Sequence, residues 1–306
     1  MSLAKKPLLV PTGDPAGVGP EISLKAAGGC GWPCVLFGDA ARLAGSGLEI
    51  VDTGALPEAV VSAAGPTDAG GRAQLAALDA AIDRALAGDG RAIVTAPTSK
   101  AAIERSGVAF TGQTEHLARR AGLADDDVTM MFLGPRLRVA LATTHLSLRA
   151  VPDAITVPRV KRAILHLADA LTRLGYARPS IVVGALNPHA GEDGLFGTED
   201  RDVIAAAVGA ARRETDARVS GPTGAETAFR RASAGEVDGV VAMFHDQATI
   251  ASKLLDWGEA VNVTWGLPFV RTSVDHGVAY DAVGRADPAG MEAALRMALA
   301  LTEGER

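Results

Sequence analysis

The sequence predicts an α/β protein of two α/β/α domains with mostly parallel sheets. Three observations carry this expectation. The chain has 306 residues, enough for about two domains of ordinary size. Short apolar runs bounded by turn residues recur along it, and they are continuous rather than alternating, as strands covered on both faces are. Stretches with apolar residues at three- and four-residue steps lie between them, the pattern of helices packed on a sheet. With 35 Gly, abundant Ala and only 4% aromatic residues, the layers must be packed by Ala, Val, Leu and Ile.

The strand-like runs fall at Leu8–Pro11, Val35–Gly38, Ala92–Thr95, Met130–Leu133, Val139–Thr143, Ile181–Ala185 and Val240–Phe244. Arg72–Ala87 carries Leu75, Leu78, Ile82 and Leu86 on one helical face, and Val157–Leu174 carries Val160, Ile164, Leu167 and Leu171. Ala289–Leu301 has no Gly or Pro after Gly290 and reads as a closing helix. Gly13-Asp-Pro-Ala-Gly-Val-Gly-Pro-Glu21 follows the first strand, with Pro20 suited to the first turn of a helix. It is neither a GxGxxG fingerprint nor a Walker A loop, so it supports no nucleotide assignment by itself. No internal repeat or low-complexity linker is visible, and composition does not mark a domain boundary.

Composition also excludes partners. Thirty Lys and Arg stand against 36 Asp and Glu, a net charge of −6, with no run of five basic residues, so nucleic acid is not expected. No stretch of 18 apolar residues occurs, and the N-terminal MSLAKKPLLVPTGDP is too short in apolar residues for a signal-peptide core. A cytoplasmic protein without membrane partners is expected. Cys30 and Cys34 flank Trp32-Pro33 with no second cysteine pair, which fits two thiols in a reducing compartment.

Ligands of open α/β sheets collect where strands end, so residues just past the apolar runs matter most. His145 follows Val139–Thr144, His189 lies in Leu186-Asn-Pro-His-Ala-Gly-Glu192, and His245 follows Val240–Phe244. One such histidine is ordinarily a hydrogen-bonded structural residue. Three, at the ends of three strands, can hold a divalent ion and leave positions open for substrate. His116 opens a helical stretch and His166 lies within one, so both read as surface or packing residues. His276, in a polar loop, is a candidate for cofactor contact. Lys253, Asn262 and Arg271 follow His245, and a phosphate monoester needs about two cations and a few neutral donors of this kind.

Taken together, Gly13–Glu21, Gly112-Gln-Thr-Glu115, Leu186–Glu192, Gly221-Pro222, Met243-Phe-His-Asp-Gln247 and Gly266–Gly277 resemble the 4-hydroxythreonine-4-phosphate dehydrogenase family of vitamin B6 biosynthesis over nearly the whole chain. The resemblance implies an isocitrate/isopropylmalate dehydrogenase-like fold with the active site in the cleft between domains. The first domain is expected over 1–120 plus 270–306, and the second, with the metal site and dimer interface, over 121–269. It implies a homodimer whose active site uses both subunits.

By the same resemblance His145, His189 and His245 bind a divalent metal (Zn, Mg or Co), and Gln113, Thr114, Lys253, Asn262 and Arg271 bind substrate. Lys253 also counts as catalytic, and the general base stays open among a metal-bound water, Lys253 and a carboxylate such as Asp246. Asp275, His276, Gly277, Asp281 and Asp287 resemble the adenosine-side loop of isocitrate and isopropylmalate dehydrogenases and imply NAD (or NADP) bound without glycine fingerprint. Gln113 replaces the family's histidine and Glu226 its usual Asp. An amide can donate to phosphate but cannot act as an acid or base near neutrality. The implied reaction oxidises 4-phosphooxy-L-threonine to 2-amino-3-oxo-4-phosphooxybutanoate, which loses CO2 to give 3-amino-2-oxopropyl phosphate. The alternatives are sister dehydrogenases of 4-phospho-D-threonate, 4-phospho-D-erythronate or an aromatic cis-dihydrodiol carboxylate.

Overall fold

The computed structural model describes residues 6–303. The first five residues of the N-terminal stretch weighed as a signal peptide, and the last three of the first domain's expected span, lie outside them. The chain forms two compact units: one runs to Asp125 and resumes at Leu267, and the other is Asp126–Gly266.

The first unit holds β1 (Leu8–Pro11), β2 (Cys34–Gly38), β3 (Glu49–Asp52), β4 (Ala92–Thr95) and, late in sequence, β11 (Val270–Ser273). They pair in parallel in the order β3-β2-β1-β4-β11. β1, β2 and β4 are buried along their whole length, as their continuous apolar runs require. Leu9, Phe37, Leu78, Ile82, Ile93 and Leu117 form a core between sheet and helices. The helix expected at Arg72–Ala87 spans Asp68–Leu86, because Thr67 caps it with Oγ1 accepting from Gly70 N at 3.0 Å. Pro20 stands in the first turn of the helix Gly19–Gly29, as its sequence position predicts. Cys34 is buried and Cys30 partly so, and burial followed by the neighbouring Cys30 pushes the Cys34 thiol up to about 12.

The second unit holds β5 (Thr129–Leu133), β6 (Arg138–Leu141), β7 (Ser180–Gly184), β8 (Arg218–Thr223), β9 (Gly239–Ala242) and β10 (Val261–Trp265), in the order β10-β5-β6-β9-β7-β8. β10 and β6 run antiparallel to β5, and the other pairs are parallel. Both units are thus α/β with mostly parallel pairing. The helix Val157–Arg173 buries Val160, Ile164, Leu167 and Leu171, the face its periodicity predicts. Among the described residues no helix is long and apolar enough to cross a membrane.

Four strands depart from the predicted set. β3 is half exposed and short, β8 contains Gly221-Pro222, and β10 and β11 carry polar residues in VNVTW and VRTS. None presents a continuous apolar run, the only strand signal a doubly covered sheet offers.

His116 and His166 are packing residues. His116 Nε2 lies 2.7 Å from Asp79 Oδ1, and His166 Nδ1 lies 2.9 Å from Thr129 Oγ1. Burial, with Arg162 adding like charge, pushes His166 down from 6.5 to about 4. Unfolded, this imidazole takes its proton near 6.5; folded, only near 4. Its contribution to stability is therefore complete above the unfolded value and is lost as pH falls toward the folded one, by up to about 3 kcal/mol. Urea unfolding at pH 7 and pH 4.5 should show a smaller pH difference for His166→Gln than for the parent protein.

The close approach of two helices supplies a second test. A Cβ on Gly71 would lie 2.0 Å from the carbonyl oxygen of Ala102. Gly71→Ala should destabilise the protein by about 1–3 kcal/mol, because backbone, not a flexible side chain, must move. Denaturant titration gives the measurement.

Candidate active site

The carboxyl ends of β6, β9 and β7 are joined beyond the sheet. Ala142 N donates to Ala242 O at 2.8 Å, and Thr143 donates to Met243 O through both N (3.2 Å) and Oγ1 (2.7 Å). Gln247 Oε1 accepts from Met243 N at 2.6 Å while its Nε2 donates to Ala185 O at 2.9 Å. The consequence is a fixed pair of imidazoles: the His145 and His245 ring centres are 5.5 Å apart, with planes tilted by 44°. β9 ends at Ala242, so His245 is the first residue of the helix His245–Leu255 rather than a direct continuation of the strand. Its Nδ1 lies 2.7 Å from Asp246 Oδ1, which orients the ring and leaves Nε2 for a ligand.

Two imidazoles on one ion have ring centres about 5 Å apart, given metal–nitrogen distances of about 2.1 Å. The His145–His245 pair fits that requirement. Among the described residues no group of three His, Cys, Asp or Glu is placed to hold one ion. His189 stands apart from the pair, on a turn of its own.

That turn is unusual. His189, Ala190, Gly191, Glu192 and Asp193 are all left-handed, with φ of 53°, 55°, 83°, 43° and 52°. For a residue with a Cβ this conformation costs roughly 1–2 kcal/mol. His189 is exposed, and its ring lies 6.5 Å from that of Phe196. Asp200, which sequence reasoning did not single out, lies beneath the start of the turn and accepts from Leu186 N, Asn187 N and Asn187 Nδ2 at 2.8, 3.0 and 3.0 Å. Nothing in the sequence marks this aspartate, thirteen residues beyond Asn187, as a partner of the turn.

In the first unit Arg271 extends from β11 and is only 3% exposed. Its Nη2 donates to Thr95 Oγ1 at 2.8 Å and to Gln113 Oε1. Burial pushes its pKa down to about 9, against the opposing charge of Glu115. Gln113 Nε2 donates to Ala96 O at 3.1 Å and to Thr98 Oγ1 at 3.0 Å. The amide thus ties Arg271 to the loop after β4, using both its donor and acceptor ends. Thr114, beside it in the helix Gln113–Arg120, is buried. Lys253 and Asn262 belong to the second unit. Lys253 sits in the last turn of the His245 helix, 5.5 Å from the Trp257 ring, and Asn262 lies on β10 opposite Phe132. Glu226 is exposed at the start of the helix Ala225–Ser233, 3.7 Å from Arg230.

The loop after β11 packs on the loop after β1. Val18 N donates to Val278 O at 2.9 Å, Gly284 N to Glu21 Oε2 at 2.7 Å, and Tyr280 OH to Asp14 Oδ2 at 2.8 Å. A Cβ on Gly17 would meet Val278 O at 2.6 Å, so glycine permits this approach. His276, Gly277, Asp281 and Asp287 are exposed on the ordered loop and Asp275 is half-buried. Asp287 accepts from Ala289 N at 3.0 Å, which starts the closing helix Ala289–Thr302.

Residues 37–298 match the family model described as pyridoxal phosphate biosynthetic protein PdxA. The chain belongs to this family. A 4-hydroxythreonine-4-phosphate dehydrogenase from Chromobacterium violaceum is 44% identical, with 97% of each chain covered. The crystal structure of 4-hydroxythreonine-4-phosphate dehydrogenase from Klebsiella pneumoniae is similar with a TM-score of 0.83 at 34% identity, covering 97% of this chain and 99% of that one. A terephthalate 1,2-cis-dihydrodiol dehydrogenase from Burkholderia xenovorans is similar with a TM-score of 0.72 at 32% identity, covering 97% and 98%.

The left-handed turn gives a test that runs against habit. Ala→Gly in a helix costs about 0.5–1 kcal/mol. Ala190→Gly, at a φ of 55°, should be neutral or stabilising, whereas Ala206→Gly in the helix Ala205–Ala211 should destabilise by the usual amount. Thermal melting of the two variants side by side measures the contrast.

Proposed function

We propose that the protein is an NAD(P)-dependent oxidoreductase that converts 4-phosphooxy-L-threonine to 2-amino-3-oxo-4-phosphooxybutanoate, which then loses CO2 to give 3-amino-2-oxopropyl phosphate. Full-length similarity to enzymes of that name supports the substrate. The observation that carries the chemistry is the fixed His145–His245 pair, with Asp246 orienting one ring.

A divalent ion held by these imidazoles would supply Lewis-acid chemistry, and NAD(P) would be the hydride acceptor. His145 and His245 would supply two nitrogen donors and His189 the third. Imidazoles suit Zn or Co, and Mg is accommodated where oxygen ligands complete the shell. Arg271 offers a planar fork to the phosphate, Lys253 a point charge, and Asn262 and Thr114 neutral donors. Gln113 acts by holding Arg271 in place. Holding the substrate against the nicotinamide accounts for several kcal/mol of barrier, roughly the lower range of what oriented reactants supply. Asp275, His276, Gly277, Asp281 and Asp287 serve the adenosine side of the dinucleotide.

A homodimer fits the same picture. His145 is followed by exposed Leu146 and Leu148, His189 by exposed Leu195 and Phe196, and the His245 helix exposes Ile250 and Leu254, with Trp257 just beyond. A second copy covering these side chains would also bring His189 to the imidazole pair. Such an enzyme works in the cytoplasm. Sister activities on 4-phospho-D-threonate, 4-phospho-D-erythronate or an aromatic cis-dihydrodiol carboxylate have less support, and Lys253, Asn262 and Arg271 favour phosphate over the diol.

The experiment is NADH formation from 4-phosphooxy-L-threonine compared with phospho-D-threonate, with divalent metal present. Preferential turnover of the former is expected; no turnover of either, despite bound metal, would defeat the dehydrogenase assignment. His189→Ala should stay folded yet lose metal and activity, and an unimpaired variant would remove the third imidazole from the site.

A further inference from the structure

His189 is exposed, with the half-exposed Phe196 ring 6.5 Å away, so the left-handed turn beneath it is the main element that directs it. Four of the five turn residues carry a Cβ and pay the steric penalty of that conformation. A strained segment persists only where its surroundings over-determine it. At the entry to the turn, the group that accepts the most bonds is one carboxylate, Asp200.

Asp200 is completely buried, with 0% exposure. A buried carboxylate is tolerated only with several hydrogen bonds. Asp200 receives three, all from the two residues that lead into Pro188 and His189: Leu186 N on Oδ1, and Asn187 N and Nδ2 on Oδ2. Glu199 Oε2 accepts the remaining Asn187 amide proton at 2.8 Å. The carboxylate also lies under the middle of the turn, since a Cβ on Gly191 would be 3.7 Å from Asp200 Oδ2 and 2.7 Å from Gly197 O. Asp200 begins a single π-helical turn, Asp200–Ile204, in front of the helix Ala205–Ala211. Such a turn inserts a residue into the helical ladder, re-aiming the side chains on either side. The far end of the left-handed segment is closed by Leu195 N to Glu192 O and Phe196 N to Gly191 O, at 3.0 and 3.1 Å.

We propose that Asp200 is the positioning residue of His189: it fixes the entry to the left-handed turn and thereby aims the imidazole at the metal. The proposal rests on the functional reading above for what His189 does, not for how it is held. Asp200 is buried and bonded to Leu186 and Asn187, so the role assigned to it is positioning rather than contact with metal or substrate. It acts through backbone bonds, so its loss should weaken metal binding more than it unfolds the protein.

The test uses the full-length protein and Co2+ as the metal probe. Asp200→Asn sets an amide nitrogen against N–H donors; Asn187→Ala removes only the side-chain bonds and leaves both backbone bonds to Asp200. Expected for Asp200→Asn are faster hydrogen exchange across 186–196, Co2+ affinity lowered about 10–100-fold, and an altered Co2+ absorption spectrum. Turnover should fall in kcat more than in KM. Asn187→Ala should shift each quantity the same way by less, and adding Asp200→Asn to His189→Ala should change Co2+ affinity no further. A lowered melting temperature with unchanged Co2+ affinity and spectrum would mean a merely structural role and overturn the proposal. If Asp200→Asn does not fold, Asn187→Ala decides, and unchanged Co2+ binding in it overturns the proposal. Wild-type protein that binds Co2+ but forms no NADH defeats the dehydrogenase assignment while the Co2+ and exchange readouts still judge Asp200; wild-type protein that takes up no Co2+ overturns both.

Discussion

The backbone of Met243 is bonded through both its N–H and its carbonyl, and the histidine geometry of the second unit depends on it. Its carbonyl accepts twice from Thr143 and its N–H donates to Gln247, whose amide reaches the end of β7. Each neutral bond contributes only about 1 kcal/mol net. Their value lies in direction, because they extend three strand ends in register for the few residues needed to reach His145 and His245. Gln247 does this with one side chain that donates at one end and accepts at the other, which neither a carboxylate nor an ammonium could do.

The first unit handles charge differently. Arg271 is buried, with Thr95 and Gln113 holding one nitrogen. Burial lowers its proton affinity to about 9, yet it remains cationic at neutral pH. Under the proposed function an arriving phosphate dianion would add to the opposite charge that Glu115 already supplies. The −6 net charge of the chain is therefore no obstacle to an anionic substrate. A short-range, desolvated guanidinium is felt more strongly than exposed charges, which solvent and salt screen.

Much of this was legible in the sequence, for identifiable reasons. β1 and β4 match their apolar runs end to end because both faces are covered, and the helix Val157–Arg173 announces its buried face by period. The strand-end histidines could be chosen because parallel sheets place function at carboxyl ends. β11 escaped because Arg271, Thr272 and Ser273 are polar residues buried for bonding rather than for hydrophobicity. The tie between Gln113 and Arg271 could not be read, since it joins residues far apart in sequence through one nitrogen. His189 was visible as a residue but not as a conformation, because Ala190, Glu192 and Asp193 carry no signal for positive φ, unlike glycine.

The contrast between the His145–His245 pair and His189 is itself informative. The pair rests on ordinary strand ends and needs no strained residue. His189 stands on the one run of left-handed non-glycine residues among the described part of the chain, and its neighbours Leu195 and Phe196 are 74% and 48% exposed. A conformation that violates local preference at four positions, on the surface, brings no stability of its own. Such violations persist where function requires a direction that relaxed backbone would not give. His189, Leu195 and Phe196 are all exposed on the same short segment. Under the proposed function, in which a second copy supplies His189, metal uptake and association of two copies are linked, each favouring the other by mass action.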